Sequence, residues 1–169
     1  MAEELFERIQ KIRAFIFDVD GVMTDGKLLI LEGGEWVRQM NMKDGFAIKH
    51  AINNNYKICV ISGSGSVAIE ERLSALGIAY INLHAENKME VYNSFLLEHK
   101  LDISETVFMG DDIPDLDCIK AAGLAACPAD AVQEIKLHAH FITHASGGNG
   151  CVREIIELVL KSQNNWNFA

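Results

Sequence analysis

The residues best placed for chemistry are Asp18 and Asp20, which end the apolar run 12–17 and precede Gly21. A short apolar run closed by a glycine turn reads as a buried parallel strand. Alternate residues of extended backbone face one side, so both carboxylates are expected in one small pocket beyond the strand's carboxyl end. Two close carboxylates repel, and a divalent cation with oxygen ligands relieves the repulsion. A carboxylate beside such a cation can attack phosphorus while its neighbour carries a proton. The pattern predicts phosphoryl transfer through an aspartyl-phosphate. Asp-x-Asp alone also suits an acidic surface turn, so the reading rests on its companions.

Those companions follow later strand-like runs. After Lys57–Ile61 comes Ser62-Gly63-Ser64-Gly65-Ser66, leading into a helical pattern. A hydroxyl with backbone N–H groups at a helix start forms an anion site, although Ser64 or Ser66 equally suits a helix cap. After run 79–83 comes Lys88, which could neutralise a phosphoryl group or simply be solvated. After Thr106–Met109 comes Gly110-Asp111-Asp112-Ile113-Pro114-Asp115. Its clustered carboxylates suit a hard cation, magnesium first; the competing reading is an acidic cap at Asp112. Each element has a bland account, but their order along successive strand ends does not.

The elements needed to position them are legible. Strands are expected at 12–17, Lys57–Ile61, 79–83, Thr106–Met109, 124–126 and 140–142. Helices are expected at 46–54, 66–76, Lys88–His99, 113–122, 131–138 and 151–161, with Gly77 and Gly123 as stops. This alternation predicts an α/β fold, a doubly wound parallel sheet covered on both faces. Runs 27–31 and 35–40 flank Glu32-Gly33-Gly34 and read as a β-hairpin inserted after the Asp-x-Asp turn. Leu29, Leu31, Trp36 and Val37 carry more apolar surface than a two-stranded ribbon can bury, which predicts oligomerisation through the hairpin.

Length and composition fit one domain spanning 1–169, with 49% hydrophobic and 23% charged residues. A net charge of −9 makes nucleic acid and anionic membranes poor partners. The sequence has no membrane-length apolar run, and its acidic Met1-Ala2-Glu3-Glu4 start lacks a basic signal region. A cytoplasmic location is therefore expected. The four cysteines form no CxxC pair, and Cys59 and Cys127 read as buried apolar residues. His138, His140 and His144 form a loose cluster without other soft ligands, so zinc is disfavoured.

The four motifs Asp18-Val19-Asp20-Gly21, Ser62-Gly63, Lys88 and Gly110–Asp115 resemble those of haloacid dehalogenase (HAD) superfamily phosphatases. The short insert in place of a cap domain is similar to the capless, tetrameric subfamily. That subfamily includes phosphatases of 3-deoxy-D-manno-octulosonate (KDO) 8-phosphate, which supply a sugar acid for lipopolysaccharide. Asn41-Met42-Lys43-Asp44-Gly45-Phe46 and Gly147–Glu154 add to the likeness. The resemblance implies a HAD-like Rossmannoid fold and a Mg²⁺-dependent phosphoric monoester hydrolase. Asp18 would be the nucleophile and a metal ligand. Asp20 would be the acid–base residue, binding metal through its carbonyl, and Asp111 the third protein ligand, supported by Asp112 and Asp115. Ser62, Gly63 and Lys88 would hold the phosphoryl group. Asn41, Met42, Lys43, Asp44, Gly45, Lys49 and Arg72 would meet a phosphorylated sugar acid, with Asp20 and Ser64 beside it. A homotetramer would lay one subunit's hairpin over a neighbour's site. Ser64 stands where the octulosonate phosphatases usually carry arginine, which keeps a nine-carbon ulosonate 9-phosphate (N-acetylneuraminate or its deaminated analogue) as the alternative substrate. A non-catalytic assembly module is the reading from another class.

Overall fold

Strands that are apolar on both sides must be covered on both sides, and that requirement shapes this chain. The structure is a computed structural model and describes residues 2–167. Its elements run α1 (Ala2–Lys11), β1 (Ala14–Phe17), the hairpin strands β2 (Leu29–Ile30) and β3 (Trp36–Val37), α2 (Met42–Asn53), β4 (Lys57–Ile61) and α3 (Val67–Ala75). They continue with β5 (Tyr80–Asn82), α4 (Lys88–His99), β6 (Thr106–Met109), α5 (Leu116–Ala121), β7 (Leu124–Cys127), α6 (Gln133–Lys136), β8 (Phe141–Ile142) and α7 (Cys151–Ser162).

Six strands form a parallel sheet in the order β5-β4-β1-β6-β7-β8. Alternation divides their side chains between two cores. Phe15, Phe17, Ile58, Val60, Val107 and Met109 join one core with α1, α2, α3 and α7. Ile16, Cys59, Ile61 and Phe108 join the other with α4, α5 and α6. Both sides are dry, as a doubly wound sheet requires.

The strand order also fixes the site. From β1 the chain moves outward to β4 and β5, then returns to β6 on the other side of β1. Connections therefore diverge above β1, opening a crevice at its carboxyl end. Asp18 follows β1 directly, and its N–H donates to the Met109 carbonyl of β6 at 3.0 Å.

Several expected boundaries shift. α2 starts at Met42 instead of residue 46, because Asn41 caps it by accepting from the Lys43 N–H at 2.8 Å. The expected helix over 113–122 divides into a tight turn at Ile113–Asp115 and α5. The helix over 131–138 shrinks to the single turn of α6. The hairpin's ladder covers only Leu29–Ile30 with Trp36–Val37, where the periodicity suggested two longer runs. The sequence reading placed no element on α1. Its short apolar stripe lays Leu5 and Ile9 on the core, and Arg8 Nη1 donates to the Gly123 carbonyl at 2.7 Å. No helix among the described residues is long and apolar enough to cross a membrane.

The loop before α7 clamps the turn that carries Asp18 and Asp20. The Gly148 N–H donates to the Val22 carbonyl at 2.9 Å, and the Cys151 thiol donates to the same oxygen at 3.1 Å. A Cβ at Gly147 would lie 2.0 Å from the Gly21 carbonyl oxygen, so only glycine allows this approach. Gly147→Ala should lower the free energy of unfolding by about 1–3 kcal/mol, the usual range for overpacking, read as a lower urea midpoint. Gly33→Ala, with open space around it at the hairpin tip, should leave the midpoint unchanged.

Candidate active site

Four strand ends deliver the expected groups to one cavity of about 330 Å³. Asp18 and Asp20 come from the turn after β1, and Ser62, Gly63 and Ser64 from the turn after β4. Lys88 is the first residue of α4, and Asp111, Asp112 and Asp115 follow β6. The turn after β1 is held internally: Thr24 donates its hydroxyl to the Val19 carbonyl and accepts from the Gly21 and Gly26 N–H groups, each at 3.3 Å.

Lys88 is the hub. Its buried ammonium lies 3.0 Å from Asp18 Oδ1 and 2.7 Å from Asp115 Oδ1. The other Asp115 oxygen accepts from the N–H groups of Asp111 at 3.1 Å and Asp112 at 3.5 Å. Asp115 is thereby spent on fixing the loop and the lysine. Asp18 and Asp111 bring further carboxylate oxygens to the same point, within 4.8 Å of one another and of Asp115. A Cβ at Gly21 would lie 2.0 Å from Asp111 Oδ2, so glycine leaves the space these oxygens occupy.

This crowding shows in the protonation equilibria. Burial and the Asp115 charge push Asp18 up to about 7, against the opposing pull of Lys88. Burial, then Asp18, Asp115 and Asp112, push Asp111 up to about 7. Lys88 is also raised, because the two carboxylates outweigh the cost of burying its charge. Hard oxygen donors carrying excess negative charge and clustered around one point fit a hard divalent cation.

On the phosphate side, the buried Ser62 hydroxyl accepts from the Ser64 N–H at 3.2 Å. Nothing among the described residues accepts from the Gly63 N–H, which lines the cavity. Asp20 is held by a residue the sequence reading passed over. Arg38, just beyond β3, donates from Nε to Asp20 Oδ1 at 2.6 Å and from Nη2 to Oδ2 at 3.2 Å. Ser64 Oγ donates to Asp20 Oδ2 and accepts from Arg38 Nη2 at 3.2 Å. Burial would raise the Asp20 pKa, but Arg38 and Ser64 together hold it below the ordinary value. One arginine in an exposed strand pattern carries no local signal, since its destination depends on how the hairpin folds back.

The expected substrate-contact stretch does not line this cavity. Asn41 spans from its cap to the Gly148 carbonyl at 3.3 Å, while Met42, Lys43 and Lys49 are exposed. Asp44 is buried, accepting from the Arg153 N–H at 2.7 Å at the start of α7, with its Oδ2 unpartnered. Gly45 lies beneath the Arg72 guanidinium, and Arg72 lines a separate groove. Ser66 caps α3 by accepting from the Ile69 N–H. Of the histidines, His140 Nδ1 accepts from the Ala125 N–H and His144 pairs with Glu154.

Residues 74–155 match the haloacid dehalogenase-like hydrolase family. The 3-deoxy-D-manno-octulosonate 8-phosphate phosphatase KdsC of Yersinia pestis is 31% identical over all of this chain and 90% of its own length. The chain belongs to this family of HAD phosphatases. Among solved structures, a probable YrbI family phosphatase of Pseudomonas syringae is 38% identical with a TM-score of 0.94, covering 97% of this chain and 93% of that one. The octulosonate phosphatase of Moraxella catarrhalis, in complex with magnesium ion, phosphate ion and KDO, is 28% identical at the same TM-score, covering 98% and 95%. As a family member the chain is a phosphoric monoester hydrolase on the HAD fold.

The raised carboxyls have a consequence for stability. Asp18 and Asp111 hold protons in the folded chain up to about pH 7, but lose them near pH 4 when unfolded. In chelator, the stability they contribute is full below about pH 4 and lost as pH rises through about 7. Asp111→Asn should flatten that decline in urea midpoints measured from about pH 5 to 8. An unchanged slope would contradict the crowding.

Proposed function

We propose that this chain hydrolyses 3-deoxy-D-manno-octulosonate 8-phosphate through a phosphoaspartate at Asp18. The observation that supports this best is the Asp18 carboxylate on Lys88 at the sheet's switch point, with Ser62, Gly63 and Asp111 around it. Asp18, the Asp20 carbonyl and Asp111 would hold Mg²⁺, which supplies charge neutralisation at the phosphoryl oxygens. Lys88, the Ser62 hydroxyl and the Gly63 N–H orient those oxygens.

An Asp18 oxygen attacks phosphorus, and the bond from phosphorus to the sugar oxygen breaks. Asp20 gives its proton to that departing oxygen. The Asp20 carboxylate then takes a proton from water, whose oxygen attacks phosphorus and returns Asp18 as a free carboxylate with inorganic phosphate. Asp20 is ionised beside Arg38 before substrate arrives. The phosphoryl charge favours its protonation in the complex, a like-charge effect.

The hairpin completes the proposal. Leu29, Ile30 and Trp36 are 59%, 66% and 63% exposed, an apolar surface that supports burial against other copies in a homotetramer. Asp18→Asn should lower kcat by about 10⁴-fold or more with an unchanged circular dichroism spectrum. Retained turnover would remove Asp18 as nucleophile. Deleting residues 28–37 should give monomers by light scattering, and a persisting tetramer would remove the hairpin from assembly. Wild-type kcat/KM should favour the eight-carbon 8-phosphate over the nine-carbon ulosonate 9-phosphates; the reverse order would reassign the substrate.

A further inference from the structure

We propose that Arg38 is a specificity-determining residue that, with Arg72, selects substrates carrying a carboxylate beyond the scissile phosphate. The inference rests on the sugar-acid reading above and deepens it.

Arg38 stands in the wall between two cavities. Its Nε and Nη2 bond Asp20 and Ser64, which line the phosphoryl cavity. The same side chain lines a groove of about 550 Å³ between the hairpin and α3, together with Trp36, Met40, Ile69 and Arg72. Asp20 is the proposed donor to the leaving oxygen. A substrate with its phosphoryl group on Asp18 would set its leaving oxygen at Asp20, beside the arginine that holds that carboxylate.

The chemistry of the groove suits an acid. A guanidinium has five donors, and Arg38 spends only those of Nε and Nη2, leaving both Nη1 donors without a partner among the described residues. Arg72 makes no ion pair among the described residues; its one polar contact is the Met42 sulfur at 3.5 Å. Two guanidinium groups with unspent donors thus face one groove of a protein whose net charge is −9. Glu35 is the acidic group on the lining, placing negative charge on the hairpin side. Planar paired donors are the geometry that binds a carboxylate best. Ser64 makes this possible, because its small hydroxyl leaves room for the hairpin arginine to reach Asp20.

A role confined to holding Asp20 would affect every phosphate ester alike, so the test compares two substrates. Wild type, Arg38→Ala and Arg38→Lys are assayed on 3-deoxy-D-manno-octulosonate 8-phosphate and on mannose 6-phosphate, a primary-alcohol phosphate without a carboxylate. Arg38→Ala should lower the ratio of kcat/KM for the acid to that for the neutral sugar by about 10- to 100-fold, the range for a lost charge-assisted hydrogen bond. The loss should fall mainly in KM for the acid, and Arg38→Lys should restore it only partly. An unchanged ratio, whether both rates fall together or neither falls, overturns the proposal. A wild-type enzyme with no preference for the acid overturns the substrate reading itself and is seen before any variant is compared.

Discussion

The buried ammonium of Lys88 between Asp18 and Asp115 is the contact on which the site depends. Without a counter-charge, two buried carboxylates this close would repel each other. With Lys88 present, Asp115 is fixed, and its second oxygen holds the backbone that presents Asp111. Three strand ends and one helix start must meet within a few ångströms for this to occur. The parallel order β4-β1-β6 brings them together, and the Asn87 cap sets the start of α4 where Lys88 can reach.

The same geometry reconciles an acidic protein with an anionic substrate. Lys88 stands at the phosphoryl end among carboxylates whose excess charge a divalent cation would offset, and Arg38 and Arg72 lie along the groove. The hairpin contributes twice. Its apolar residues face outward, while the strand leaving it sends Arg38 inward to Asp20. An element that looks like an assembly device is therefore also part of the site wall.

The sheet and catalytic cavity were legible because both are written locally. Runs such as Lys57–Ile61 are apolar on both faces, and the site residues follow strand ends closely, except Lys88, which opens α4. Asp18, Asp20, Ser62, Gly63, Lys88 and Asp111 all line one cavity as their spacing implied. What stayed hidden depends on distant partners. Arg38 gives no sign that a bend will carry it onto Asp20, and Asp44 gives none that it will meet the start of α7, 109 residues away. α1 was missed because its apolar stripe is short and only packing against α7 and β7 makes it a core face. Gly147 belongs to a stretch that carries the family likeness, but no neighbouring residue signals that Gly21 will press against it.

The central claim is that Asp18 itself carries the phosphoryl group, and trapping that group tests it most directly. Asp20→Asn enzyme, slower in both halves but lacking the base that clears the intermediate, would be mixed with Mg²⁺ and 3-deoxy-D-manno-octulosonate 8-phosphate, acid-quenched, reduced with borohydride, digested and sequenced by mass spectrometry. An acyl phosphate at Asp18 predicts homoserine at position 18, absent when substrate is omitted. Unmodified Asp18 in enzyme that has released stoichiometric sugar acid, or modification at another carboxylate, would contradict the account.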